Sequence, residues 1–161
     1  MSTVAARKSK FNLRAFIFFE ALTLLAGLAG GLLGGIDGFS SLTKPPLTPP
    51  AWFFPIVWNI LYVLMGIAAY LVWNSNDVDR APPLRMYLYQ LGVNMLWPFF
   101  FFRLQWRLFA FFWLLLLIVL VTLTMTGFKY IRKAAYRLMN PYILWLFFAG
   151  YLNLSFYLLN K

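Results

Sequence analysis

"KPPLTPPAWFFPIVWNILY", residues 44–62, places five prolines in its first twelve positions and then runs without a pause into a long apolar stretch. Proline fixes its own φ and donates no backbone hydrogen bond, so the segment from Lys44 to Trp52 reads as a stiff, extended strap that stops where a helix starts. Pro49 and Pro50 fall just ahead of the first turn, where a missing amide donor costs little. The stretch that follows, from about Trp52 to Trp73, meets the length of about 20 apolar residues that a helix needs to cross a hydrocarbon core.

Four further stretches outward from this one have the same character, over about 13–36, 84–102, 108–128 and 138–159. The expected fold is therefore all-α, an integral membrane bundle of five transmembrane helices forming a single domain over residues 1–161. Short connections make consecutive helices antiparallel neighbours. The apolar run after Arg7, Lys8 and Lys10 is too long for a cleaved secretory signal and lacks a small-residue cleavage site, so it counts as the first span.

Composition supports the same class. Of 161 residues, 63% are hydrophobic and 11% charged, whereas a soluble domain is about half apolar and about a quarter charged. The net charge of +10 would suggest nucleic acid in a soluble chain, but the cations sit between the apolar runs, so topology explains them and no nucleic-acid partner is expected. Ten basic residues fall on one side of a five-span arrangement: Arg7, Lys8, Lys10, Arg14, Arg80, Arg85, Lys129, Arg132, Lys133 and Arg137. Lys44, Arg103, Arg107 and Lys161 fall on the other, which puts the N-terminus in the cytoplasm and the Pro-rich strap outside. Histidine and cysteine are absent, which removes the usual imidazole and thiolate metal ligands and Ser-His-Asp or Cys-His hydrolysis. No metal and no cofactor are expected.

Several residues stand out inside the spans. Gly27, Gly30, Gly31 and Gly34 form small-xxx-small steps that let backbones approach closely, either within the bundle or at a dimer seam. Glu20 is the one carboxylate well inside a span and reads as a side chain snorkelling to the interface or turned inward. Gln90 and Asn94 share a helix face with Trp97 one step on, and Asn153 follows Trp145 and Ala149 at steps of four. Each amide taken alone is interhelical glue. Trp52, Trp73, Trp106 and Trp113 suit an interfacial belt, whereas Trp58 and Trp145 lie about two turns inside their helices, a depth that suits a cavity wall.

The strap with Trp58 after it, "QLGVNMLWPFFFF" at 90–102 and "NPYILWLFFAGYLN" at 140–153 together resemble the translocator protein family, also called tryptophan-rich sensory proteins or peripheral benzodiazepine receptors. The likeness runs from the loop before Lys44 to the C-terminus. It implies a five-helix bundle, usually a homodimer, with a pocket inside the bundle opening toward the loop after the first helix. Members bind porphyrins such as protoporphyrin IX, sterols and isoquinoline carboxamides, and some bacterial ones promote light-dependent protoporphyrin breakdown with two tryptophans that correspond to Trp58 and Trp145. Asn94 corresponds to an asparagine that lines the family pocket. The loop departs from the family pattern W-Y-x-x-L-x-K-P-x-W-x-P-P at Gly38, Phe39 and Leu47. The tyrosine of the animal sterol motif is replaced by Leu154, with a looser substitute in Leu154, Tyr157 and Lys161.

A porphyrin is a flat, apolar disc with two carboxylates on one edge, so its site needs aromatic faces deep down and a cation at the mouth. The candidate ligand-binding residues are Trp58, Asn94, Trp97, Trp145, Ala149, Phe39 and Lys44, with Arg103 and Arg107 as further cations. The expected function is a membrane receptor or sensor for porphyrins and other flat apolar ligands, with a sterol or lipid as a further partner. Two alternatives stand beside it: light-dependent protoporphyrin degradation, with Trp58 and Trp145 as the reacting residues and no metal or acid–base group, and porphyrin or sterol transport. The tail has no Arg- and Ser-rich presequence, which points to a multi-pass protein of the cell membrane, or of the mitochondrial outer membrane if the source is eukaryotic.

Overall fold

The structure, a computed structural model, describes residues 10–35, 41–75 and 77–161. Five helices make up the bundle: α1 (Leu13–Gly34), α2 (Phe53–Trp73), α3 (Ala81–Pro98), α4 (Arg107–Ile131) and α5 (Lys133–Leu159). No strand occurs among the described residues. Asn12 caps α1 by accepting from the Ala15 N–H at 3.1 Å, and its own N–H donates to the Tyr70 hydroxyl at 3.0 Å, tying the start of α1 to the end of α2.

The helices close a ring in the order α1, α2, α5, α4, α3 and back to α1. This corrects the expectation that all consecutive helices are neighbours, because α2 and α3 lie on either side of α1 and barely meet. The reason is the glycine face of α1. A Cβ on Gly27 would enter the Tyr62 ring of α2, while one on Gly30 would stand 2.9 Å from the Met95 carbonyl oxygen and one on Gly34 2.6 Å from Pro98, both of α3. Glycine thus admits a helix on each flank. The small residues serve packing inside the bundle, and only Gly31 faces open space on that helix.

On α4 the buried positions are Ala110, Leu114, Leu117, Val121, Thr124, Met125 and Phe128, a stripe at steps of three and four that turns one face inward. Its other face, with Phe112, Leu115, Leu116, Val119 and Leu123, is exposed and apolar, as befits contact with acyl chains. Between such helices lipid removes most of the hydrophobic drive, so close packing and interhelical hydrogen bonds carry the cohesion.

Four helices, α1, α2, α4 and α5, are long and apolar enough to span a membrane. The exception is α3, which has 18 residues, carries Arg85 and buries Gln90 and Asn94. The expected third span over 84–102 is interrupted: Pro98 lacks the N–H that would continue the ladder, and residues Phe99–Arg103 form a π turn closed by the Leu104 N–H on the Phe99 carbonyl at 3.0 Å. The expected fifth span starts five residues early, at Lys133, because α5 follows α4 across Arg132 alone in extended conformation.

Glu20 turns inward. Its carboxyl packs on Gly66 of α2, where an added Cβ would meet it at 2.8 Å, and Oε1 is buried without a hydrogen-bond partner. Snorkelling is unnecessary here because Gly66 leaves room for the carboxyl.

Candidate functional site: an aromatic and amide cluster

The strap of residues 41–52 ends where the Phe53 N–H bonds the Pro50 carbonyl at 2.9 Å, and α2 begins. Within it the Thr48 N–H returns to the Pro45 carbonyl at 3.3 Å, and Leu47 takes a left-handed φ of 65°. That is a type II turn with a leucine where glycine is the usual choice. The strap is held against the end of α5 by three bonds. The Thr43 N–H donates to Asn160 Oδ1 at 2.8 Å, Asn160 Nδ2 donates to the Thr43 carbonyl at 3.0 Å, and the Tyr151 hydroxyl donates to the Pro46 carbonyl at 3.1 Å. Lys44 lies on this strap and is exposed. Phe39, with Gly38, lies outside the described residues.

One turn into α2 the half-buried Trp58 stacks on Tyr62, the ring centroids 5.6 Å apart. It also meets the edge of Tyr142 at 6.3 Å and of Trp145 at 6.5 Å, the two indoles lying at 88° to each other. Trp145 is in turn ringed by Phe53, Phe54 and Phe148. Perpendicular aromatic faces of this kind offer one surface for stacking and another for edge contact.

Under the aromatic pair runs a buried ladder of phenols and amides joining α2, α3 and α5. The Tyr62 hydroxyl donates to Asn94 Oδ1 at 2.7 Å, Asn94 Nδ2 donates to the Tyr142 hydroxyl at 2.7 Å, and that hydroxyl donates to Gln90 Oε1 at 3.0 Å. Asn94 is 3% exposed and engages a neighbouring helix through each end of its amide. Here its side chain braces the two tyrosines that flank Trp58. The Gln90 Nε2 and Trp145 Nε1 donors are buried without partners.

Trp97 belongs to an adjoining cluster. Its indole N–H donates to Asn153 Oδ1 at 3.0 Å, Asn153 Nδ2 donates to the Arg107 carbonyl at 2.7 Å, and the ring stacks on Phe101 at 5.1 Å. Phe54 and Phe148 pack against this cluster and touch Trp145, so the two groups meet there. Ala149, one turn beyond Trp145, is buried. An apolar groove of about 470 Å³ opens between α2 and α5, lined by Val57, Ile60, Leu61, Pro141, Leu144, Trp145 and Phe148.

The structure therefore brings Trp58 and Trp145 together, reaches Asn94 through two tyrosines, and sets Trp97 in the next cluster. Sequence reasoning missed Tyr62 and Tyr142. Their signal was present, since Tyr62 lies four after Trp58 and Tyr142 three before Trp145, each on its tryptophan's helix face.

Comparison with known proteins bears on the family of the chain. The family model described as TspO/MBR family matches residues 19–158. The chain is 37% identical to a tryptophan-rich protein TspO of Chlorobaculum tepidum over 126 residues, covering 76% of this chain and 78% of that one. It is 34% identical to a tryptophan-rich protein TspO of Archaeoglobus fulgidus, covering 86% and 94%, and 35% identical to the translocator protein of Ovis aries, covering 77% and 79%. With its apolar helices and this match over most of its length, the chain is a multi-pass membrane protein and belongs to the TspO/MBR family.

Proposed function

We propose that this protein is a membrane receptor for flat, largely apolar tetrapyrroles of the protoporphyrin kind, bound at the Trp58–Trp145 pair inside the bundle. The observation that carries the reading is the pair itself, two indoles at 88° with Trp58 stacked on Tyr62. A disc stacks on one ring and meets the edge of the other. Lys44, Arg103 and Arg107 at the strap end are the cations for the ligand's carboxylates. Sterols and isoquinoline carboxamides share the flat apolar shape and belong to the same ligand class. The α3 helix, about 27 Å long at about 1.5 Å per residue, continues through the π turn to make the fifth crossing. The active species is a homodimer with the N-terminus in the cytoplasm.

The test is a titration with protoporphyrin IX in the dark, read by porphyrin absorbance. Trp58→Phe and Trp145→Phe each weaken binding about tenfold, a loss of about 1.4 kcal/mol. Wild-type affinity in both variants places the ligand elsewhere. A second reading, light-dependent porphyrin breakdown, is favoured by the contact of two indoles at one site. Loss of turnover with retained binding in either variant supports it, and unchanged turnover in both removes it.

A further inference from the structure

A flat apolar ligand partitions into the bilayer, so its route to Trp58 and Trp145 matters as much as its site. The strap is latched to α5 by the paired bonds between Thr43 and Asn160 and by the Tyr151 bond to Pro46. Away from the strap, an apolar groove lies between α2 and α5. It is shallow and open, about 470 Å³ in volume, the shape of a path along the surface and not of an enclosed site. Ile60 and Leu144 on its rim are 56% and 68% exposed, and both lie on spanning helices, so the groove faces acyl chains.

Trp145 is common to the groove and the inner site, lining the one and touching Trp58 in the other. Its indole N–H, unlike those of Trp97 and Trp113, makes no hydrogen bond among the described residues. Trp97 donates to Asn153 Oδ1 at 3.0 Å and Trp113 to the Val93 carbonyl at 2.8 Å. Packing alone holds its rotamer. Pro141, one turn before it, removes the backbone bond that α5 would otherwise make to residue 137, which loosens the helix beside the groove. Val57, at the strap end of the groove, lies one turn after Phe53 where α2 starts, about 6 Å along the axis. An amphiphilic disc can therefore slide in with its carboxylates still at the interface.

We infer that the α2–α5 groove admits flat, apolar ring ligands sideways from the acyl layer, and that the Trp145 indole is the swinging wall between groove and inner site. The inference rests on the binding proposed above. Bilayer nanodiscs and stopped-flow mixing with protoporphyrin IX in the dark, read by porphyrin absorbance, separate route from site. Ile60→Phe/Leu144→Phe fills the groove from exposed positions, and Asn160→Ala/Tyr151→Phe unlatches the strap. The filled variant binds and releases more slowly, both rates falling on the order of tenfold with Kd unchanged, because a path and not a site has been altered. The unlatched variant keeps wild-type rates.

Wild-type rates in the filled variant, with faster exchange in the unlatched one, put the route under the strap and overturn the inference. Wild-type rates with a changed oligomeric state give the groove to a second copy and also overturn it. A changed Kd at an unchanged association rate does the same, by making the groove part of the site. Absence of dark binding by the wild type refutes the binding reading itself, and the route with it.

Discussion

Replacing Asn94 by leucine, which keeps the volume and removes the amide, separates bracing from ligand contact. Asn94 accepts from Tyr62 and donates to Tyr142, both at 2.7 Å, inside a site where it is 3% exposed. Each interhelical side-chain bond in a membrane bundle contributes about 0.6–1.7 kcal/mol, and the stranded Tyr62 hydroxyl adds a desolvation cost of about 1 kcal/mol. The expected loss is about 2–4 kcal/mol. Reversible unfolding in mixed micelles with increasing dodecyl sulfate measures it. The double variant Tyr62→Phe/Asn94→Leu recovers about 1 kcal/mol, because no donor is then stranded. Porphyrin affinity adds the second half of the test. If Asn94 acts by bracing, Tyr62→Phe alone reproduces most of the affinity loss of Asn94→Leu. A loss of stability below about 0.5 kcal/mol, or a large affinity loss in Asn94→Leu with none in Tyr62→Phe, refutes the bracing role.

Three further outcomes follow from single contacts. Gly34→Ala drives a methyl group to 2.6 Å from Pro98 and destabilises by about 1–3 kcal/mol, whereas Gly31→Ala meets nothing and stabilises by up to about 1 kcal/mol; the same unfolding assay compares them. Trp97→Phe keeps the stack on Phe101 but strands Asn153 Oδ1, lowering stability by about 1 kcal/mol. Leu47→Gly relieves the left-handed φ of 65° in the strap, a strain of about 1–2 kcal/mol partly offset by the entropy of glycine, so thermal stability holds or rises slightly and limited proteolysis at the strap does not speed up.

Much of the bundle was legible in the residues. Apolar runs gave five helices, and the prolines before Trp52 marked the start of α2 to within a residue. Glycines on α1 announced a close approach, but spacing cannot say which helix arrives, so the order around the ring, with α2 and α3 on opposite flanks of α1, stayed hidden. The third span was read straight through Pro98, because the π turn after it depends on where the freed carbonyls find donors. Glu20 could be read as snorkelling or as turned inward, and the sequence could not choose because the space beside it is made by Gly66, 46 positions away. At the site, depth along the helices singled out Trp58 and Trp145, but α5 starts at Lys133, which sets Trp145 about three turns inside its helix and not two. The amides were read as glue one at a time, but their partners are phenols on other helices, and that depends on the rotation of α3.

The most direct check is a map of oxidised indoles after illumination of the protein with protoporphyrin IX bound, read by peptide mass spectrometry. Binding at the indole pair predicts oxidation first at Trp58 and Trp145, half-buried and in mutual contact. Oxidation confined to Trp52 and Trp106, which at 65% and 57% exposed are open to diffusing oxidants, with Trp58 and Trp145 untouched, would contradict it.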